Sequence, residues 1–104
     1  MTHAESKFDR EYRDRIMKAV FRVIVEASTD RSTNVATIRN AEVADALLNL
    51  IAGFNATSEI AKEHTTLQRW CKAQAKKLYE GIKSVQQDAP DWIKTVHYDP
   101  TQRH

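Results

Sequence analysis

Apolar residues in the first quarter of the chain recur at steps of three and four, the spacing that gathers side chains on one face of a helix. This spacing predicts a helix over residues 9–27, with an apolar arc that widens in its second half. Residues 20–25 are rich in β-branched side chains and could instead form a strand. The charged, turn-free run before them keeps helical spacing, so we favour the helix. The arc consists of Tyr12, Ile16, Val20, Val23, Ile24 and Ala27.

A polar stretch separates this helix from the next apolar run. Residues 28–39 contain many serine, threonine, asparagine and charged side chains, a composition typical of a surface loop. Within this loop, residues 35–38 are predicted to be locally extended. The loop ends at Asn40, which is predicted to cap a second helix over residues 41–54.

The second helix has an unusual distribution of polar residues. They fall in one stripe roughly 80° wide, and nearly all the other positions are apolar. A helix that is apolar over most of its circumference needs cover on several sides, so we predict that it is the central helix of the fold. The polar stripe consists of Glu42, Asp45, Asn49 and Gly53.

A third helix, capped by Thr57 or Ser58, is predicted to run to about residue 87 and to be roughly 45 Å long. An apolar seam follows it with steps of three and four, as in a coiled coil. Thr65 and Gln68 have the spacing of a capping box, so the alternative is a break that leaves a short helix over residues 58–64. The apolar seam consists of Ile60, His64, Leu67, Cys71, Ala75, Leu78, Ile82 and Val85.

The start of this third helix also shows a local resemblance. Residues 58–64 resemble the first helix of a bacterial helix-turn-helix, and residues 67–70 resemble the start of its recognition helix. Thr65 and Thr66 stand where that motif has a longer turn with a glycine. Continuous helix is therefore the better interpretation, and no family is identified across the whole chain.

The C-terminal residues are too apolar for a freely solvated tail. Pro90 is suited to the first position of one helical turn. We therefore expect residues 90–104 to dock on a helical domain formed by residues 9–89, with residues 1–8 disordered or frayed. The apolar tail residues are Trp92, Ile93, Val96 and Tyr98.

The scarcity of turn residues defines the fold class. The 104-residue chain has two glycines and two prolines, and no proline precedes Pro90, which excludes the many tight turns of a sandwich or barrel. We predict an all-α fold, an antiparallel bundle of three main helices with a short C-terminal segment packing back.

The helix lengths predict a dimer. The third helix outruns the first by about ten residues, or roughly 15 Å, and the second helix needs more cover than two neighbours give. The candidate self-association residues are Leu47, Leu48, Ile51, Leu67, Cys71, Leu78 and Ile82.

A basic stripe opposite the apolar seam is the best signal for a ligand. It is roughly 80° wide and could follow the phosphates of a nucleic acid. The net charge of +2 is only mildly basic, so a solvated face is the favoured interpretation. The stripe consists of Lys62, Arg69, Lys72, Lys76 and Lys83.

No pattern of residues predicts a catalytic or metal site. His64 and Cys71 lie about 10 Å apart along one helix, too far to share a zinc ion without other ligands. Glu42 and Asp45 could hold a proton or a metal, but they are better explained as the solvated edge of their helix, paired with an arginine from elsewhere. We expect no cofactor and no metal.

The remaining features predict a cytoplasmic protein. Cys71 is the only cysteine, which suits a reducing compartment, and no stretch is apolar enough to span a membrane. The leading hypothesis is a small non-enzymatic interaction protein that forms a dimer, with another protein as a further partner. The alternative is an accessory or regulatory protein that binds nucleic acid through the basic stripe.

Overall fold

The computed structural model describes residues 7–94 and 97–98, and most of these residues are helical. The helices are α1 (Arg10–Ala27), α2 (Asn40–Asn55), a 3₁₀ helix (Glu59–Lys62), α3 (His64–Gln87) and α4 (Asp91–Lys94). The strands are β1 (Thr29–Asp30), β2 (Val35–Ile38) and β3 (His97–Tyr98). The predicted helical character is confirmed, and the all-α class overlooked a small sheet.

Local hydrogen bonds fix both ends of α1. The carboxylate of Asp9 accepts the backbone N–H of Tyr12 at 3.0 Å and so caps the helix. At the other end, the backbone N–H of Ser28 donates to Ile24, and the hydroxyl of Thr29 donates to the carbonyl of Val25 at 2.6 Å. The predicted bounds of this helix are confirmed. The alternative of a strand over residues 20–25 is wrong, because these residues lie in the second half of α1.

The polar loop after α1 contains a hairpin that the sequence did not predict. Strand β1 pairs antiparallel with β2 through Thr29 with Ala36 and Asp30 with Val35. The turn closes at Asn34, which has φ of 59° and donates its N–H to the Asp30 carbonyl at 2.7 Å. Asparagine tolerates this left-handed conformation better than most residues. The expected extension over residues 35–38 is confirmed as β2.

The C-terminal segment returns to this hairpin. Strand β3 pairs parallel with β2, with Thr37 opposite His97 and Ile38 opposite Tyr98, giving the order β1-β2-β3. Just upstream, Ile93 donates its N–H to Pro90 at 3.1 Å as α4 begins. Residues 1–6, 95–96 and 99–104 and the side chains of Trp92, Lys94, His97 and Tyr98 lie outside the described residues. The predicted packing of the tail on the helices stays a prediction.

Ile38, on the central strand, is the one buried residue in the described part of the chain, with 6% of its surface exposed. Strand β2 packs on α1. The half-buried residues of α1 all lie in its second half: Val20, Phe21, Ile24 and Val25. The described core is therefore small and sits where the hairpin meets the end of α1.

Helix α2 has the predicted extent within one residue at each end, but its predicted cap is wrong. Asn40 is the first helical residue, and the cap position belongs to Arg39, whose side chain makes no capping hydrogen bond. Arg39 instead binds the Glu42 carboxylate, with its Nη2 at 2.7 Å from Oε2. The backbone of Arg39 is extended, with ψ of 95°, so Arg39 occupies the cap position. The helix therefore begins at Asn40, one residue earlier than predicted.

The predicted continuous third helix is also wrong. A 3₁₀ helix over Glu59–Lys62 ends at Glu63, whose backbone is extended, and α3 starts at His64. The hydroxyl of Thr66 donates to the Glu63 carboxylate, but Glu63 makes no side-chain capping hydrogen bond to the backbone of α3. A single extended residue, Glu63, separates the 3₁₀ helix from α3. The structure therefore lacks the longer turn of a helix-turn-helix, and the resemblance is limited to the sequence.

The three long helices do not pack extensively on one another within the described chain. The more extensive contacts join the 3₁₀ helix with α3, β1 with β2, α1 with β2, and β2 with β3. The radius of gyration is 16.5 Å, against about 13 Å for a compact chain of 100 residues. The antiparallel bundle therefore stays a prediction.

The hairpin turn makes a testable prediction about Asp30. Its carboxylate accepts the hydroxyl and the N–H of Ser32, and the hydroxyl contributes most to lowering the pKa of Asp30 below its ordinary 3.8. Ser32→Ala should raise this pKa toward 3.8, as measured by a carbon-13 NMR titration of the carboxyl group. An unchanged pKa would contradict the assigned cause.

The pH dependence of stability follows from the same shift. A lowered pKa in the folded state stabilises the fold above pH 3.8, and this stabilisation is lost as the pH falls through the folded pKa. Ser32→Ala should therefore destabilise the protein more at pH 7 than in strong acid, as measured by urea unfolding.

Candidate functional site

Helix α2 exposes large apolar side chains on more than one side. Leu48 is 61% exposed, Leu50 54%, Ile51 45% and Phe54 78%, whereas Leu47 is half-buried. Leu48 and Leu50 lie about 160° apart around the helix axis. One neighbouring helix cannot cover both, so the sequence-based expectation that α2 needs cover on several sides applies to the folded chain.

The apolar seam of α3 changes its environment part of the way along the helix. Leu67 and Trp70 are half-buried near the 3₁₀ helix, which packs on α3. Beyond them, every residue over 71–88 is exposed, including Cys71. Leu78 is 61% exposed and Ile82 51%. The second part of α3 therefore presents its apolar seam to solvent.

A third apolar surface follows α1. A groove of about 690 Å³ has Met17, Phe21 and Val25 on its floor. Met17 is 49% exposed, and Phe21 and Val25 are half-buried. Charges of both signs border this groove: Asp14, Lys18, Arg22 and Glu26.

The predicted basic stripe is only partly assembled. Lys62 lies on the 3₁₀ helix and not on α3, and its ammonium group is 2.7 Å from the Glu59 carboxylate. The other four cations lie within roughly 60° of arc on α3 and are exposed. None of the four has an ion-pair partner in the described part of the chain. We call them the basic face of α3: Arg69, Lys72, Lys76 and Lys83.

The carboxylates of α2 bind residues that are close to them in the sequence. Glu42 pairs with Arg39, three residues before it, where the sequence suggested an arginine from elsewhere in the chain. Asp45 accepts a hydrogen bond from the side-chain amide of Asn49 at 3.2 Å. Both carboxylates are exposed, which agrees with their interpretation as the solvated edge of the helix.

His64 and Cys71 do not form a combined site. Both are exposed and lie on α3, about 10 Å apart along its axis. Among the described residues, no three histidine, cysteine, aspartate or glutamate side chains come together in a way that could hold a metal ion.

On α2 and α3, three apolar residues that are more than half exposed were missing from the candidate self-association set. They are Leu50 and Phe54 on α2 and Tyr79 on α3, each more than half exposed. Leu50 and Phe54 could have been found from helical spacing, because they lie on the same arc as Leu47. Tyr79 lies beside the seam and not on it, so its exposure required the structure.

The comparisons with known proteins give no further information about these surfaces. No protein-family model, curated protein or solved structure matches the chain. A function must therefore be argued from the surfaces themselves.

No helix among the described residues is long and apolar enough to cross a membrane.

The two helical glycines provide a stability test. A Cβ atom added at Gly53 or Gly81 would meet nothing within 4 Å, and neither residue has a positive φ. Gly53→Ala and Gly81→Ala should therefore each stabilise the chain by about 0.5–1 kcal/mol, because alanine has the higher helix propensity. Urea unfolding measures both effects. A loss of stability at Gly81 alone would show that another helix approaches α3 there.

Proposed function

We propose that this chain is a small, non-enzymatic interaction protein that self-associates, most simply as a two-fold dimer. The observation that carries this proposal is the exposure of large apolar residues on all three long helices, while Ile38 is the one buried residue among those described.

The surface area supports this proposal. The chain exposes 9245 Å², against roughly 5,900 Å² for a compact protein of 11.9 kDa. The chain therefore exposes about 3,300 Å² more than a compact monomer of its mass. A standard interface buries about 800 Å² on each partner. A second copy could therefore bury a stable interface without any rearrangement of the described elements.

The energetics of helices in water point the same way. Helices in proteins are stabilised mostly by packing an apolar face and less by their intrinsic helix propensity. Burial of apolar surface contributes roughly 25 cal/mol per Å². Helix α2 has 16 residues and packs little on its own chain, so it needs stabilisation from outside.

The exposed polar residues support a non-enzymatic role. His64 and Cys71 are the residues closest to a base and a nucleophile, and their separation along α3 keeps them from acting together. The α2 carboxylates are exposed, and they bind Arg39 at the start of the helix and Asn49 on it. Each has an ordinary structural explanation.

The basic face of α3 favours a second candidate function, binding to nucleic acid. Four exposed cations without ion-pair partners in the described chain lie along a helix of 24 residues, about 36 Å long. Such a face can neutralise phosphates without reading sequence. This is the weaker proposal, because Lys62 pairs with Glu59 and does not extend the face.

Self-association should appear in sedimentation equilibrium as a species of twice the 11.9 kDa chain mass at micromolar concentration. Leu78→Glu should weaken the dimer at least a hundredfold, because an unpaired buried charge costs about 3–5 kcal/mol. The circular dichroism of the monomer should persist, because Leu78 is already 61% exposed.

Ala73→Glu is the matched control for this variant. It adds the same charge to the opposite side of α3 and should leave the dimer intact. A monomeric wild-type protein at high micromolar concentration would refute self-association.

Binding to nucleic acid should weaken steeply with salt if the basic face follows phosphates. Four neutralised phosphates per chain give a log–log slope of about −3.6 on duplex DNA. Arg69→Gln combined with Lys72→Gln and Lys76→Gln should remove most of this slope in a fluorescence-anisotropy titration.

The control variant carries the same change in charge on α1, through glutamine at Arg10, Lys18 and Arg22. An equal loss of binding in both variants would mean that net charge alone attracts the nucleic acid. No binding at low salt and tens of micromolar protein would eliminate this second function.

A further inference from the structure

The unburied surfaces of α2 and α3 have complementary lengths and charges. We infer that α2 of one copy packs on the exposed part of α3 of a second copy, and that the same contact repeats reciprocally across a two-fold axis. This inference rests on the proposed self-association and adds to it the surface and the arrangement of the partner.

The lengths of the two surfaces agree. Helix α2 has 16 residues and is about 24 Å long. The exposed helical part of α3, residues 71–87, is about 25 Å long. Among the described residues, helix α2 takes part in none of the more extensive contacts between elements, and its apolar residues Leu48, Leu50, Ile51 and Phe54 are exposed.

The apolar side chains of the two surfaces are also comparable. Leu48 and Ile51 lie on one side of α2 and are 61% and 45% exposed. Leu78 and Ile82 lie on the exposed part of the α3 seam and are 61% and 51% exposed. Ala75 lies one turn before Leu78 and gives the seam a shallow site into which a leucine of the partner can pack.

The charges of the helices decide between possible pairings. Helix α2 has two carboxylates, Glu42 and Asp45, and no cation. Helix α3 has five cations and one carboxylate, a net charge of +4 when His64 is neutral. Helix α1 has five cations and three carboxylates, a net charge of +2. Helix α2 is therefore the one negatively charged long helix, and α3 is the most positively charged.

Pairing α2 with α3 places the negative charges of α2 near the positive charges of α3 at the edge of the proposed contact. Asp45 lies three residues before Leu48, at the edge of the apolar surface of α2. Lys72, at one edge of the basic face, lies one turn before Ala75 and about 60° from it around the helix axis. Pairing α3 with α3 would bring together two helices of net charge +4, and pairing α2 with α2 would bring together two helices of net charge −2.

A mixing experiment tests the reciprocal arrangement. One variant carries Leu48→Glu and Ile51→Glu on α2, and the other carries Leu78→Lys and Ile82→Lys on α3. Each variant alone should be monomeric where the wild-type protein is dimeric. In a dimer with one copy of each variant, one of the two contacts keeps its original residues, and in the other the introduced glutamates lie opposite the introduced lysines. An equimolar mixture should therefore form a heterodimer, which native mass spectrometry should detect.

The control variants place the same charges away from the proposed contact. Gly53→Glu on the polar stripe of α2 and Ala73→Lys on the opposite side of α3 from the seam should each leave the wild-type dimer unchanged. Circular dichroism of each variant reports whether its helices persist.

A crosslinking experiment on the wild-type sequence does not depend on the folding of the variants. Cys71 is exposed on the seam and can carry a photoreactive benzophenone. In a mixture of nitrogen-14 and nitrogen-15 protein, peptides that join the two isotopes should come from Cys71 of one copy and α2 of the other.

The outcomes separate this arrangement from self-association itself. A wild-type dimer whose two variants stay monomeric when mixed, or whose crosslinks join α3 to α3, overturns the pairing of α2 with α3 and leaves self-association standing. A monomeric wild-type protein overturns both proposals. A heterodimer in the mixture together with crosslinks from Cys71 to α2 supports the inferred arrangement.

Discussion

The need to cover the apolar faces of three long helices is the constraint on which the rest of this structure depends. Among the described residues, burial is nearly complete at Ile38 alone, where β2 packs on α1. Apolar side chains on α2 and on the second part of α3 are left in contact with water. Because burial of such surface is the main favourable term in folding, the described chain lacks part of the stabilisation that a domain of its length normally has.

The observed local structure is well specified where short-range hydrogen bonds determine it. Asp9 caps α1, Asp30 and Asn34 close the hairpin, and Glu63 separates the 3₁₀ helix from α3. These interactions define where helices begin and end, but none of them fixes how two long helices lie against each other. The small sheet, which joins the middle of the chain to its C-terminal segment, is the main long-range link observed.

Sequence patterns predicted the long helices because their apolar spacing extends over many turns. The extents of α1 and α2 were predictable to within about one residue, although Arg39 and not Asn40 occupies the cap position of α2. The break at Glu63 was harder to predict, because Glu63 with Thr66 and Thr65 with Gln68 offer the same three-residue spacing. The hairpin was missed because β1 has two residues and β2 four, too few for alternation to show.

The candidate surfaces were predictable in part for the same reason. Helical spacing placed Leu48, Leu78 and four cations of the basic stripe on surfaces that the structure shows to be exposed. It misplaced Lys62, because the spacing argument assumed an unbroken helix across Glu63. Which surfaces meet in an assembly depends on contacts between chains, and a periodic pattern within one chain does not encode their pairing.

Hydrogen exchange of the α2 amides at several protein concentrations tests the central claim, that a second copy covers this helix. The account predicts that exchange over residues 47–54 slows as the concentration rises from low to high micromolar, while exchange at the N-terminal end of α1 stays nearly constant. Exchange over residues 47–54 that is independent of concentration would contradict the claim, since it would show that α2 gains no cover from another chain.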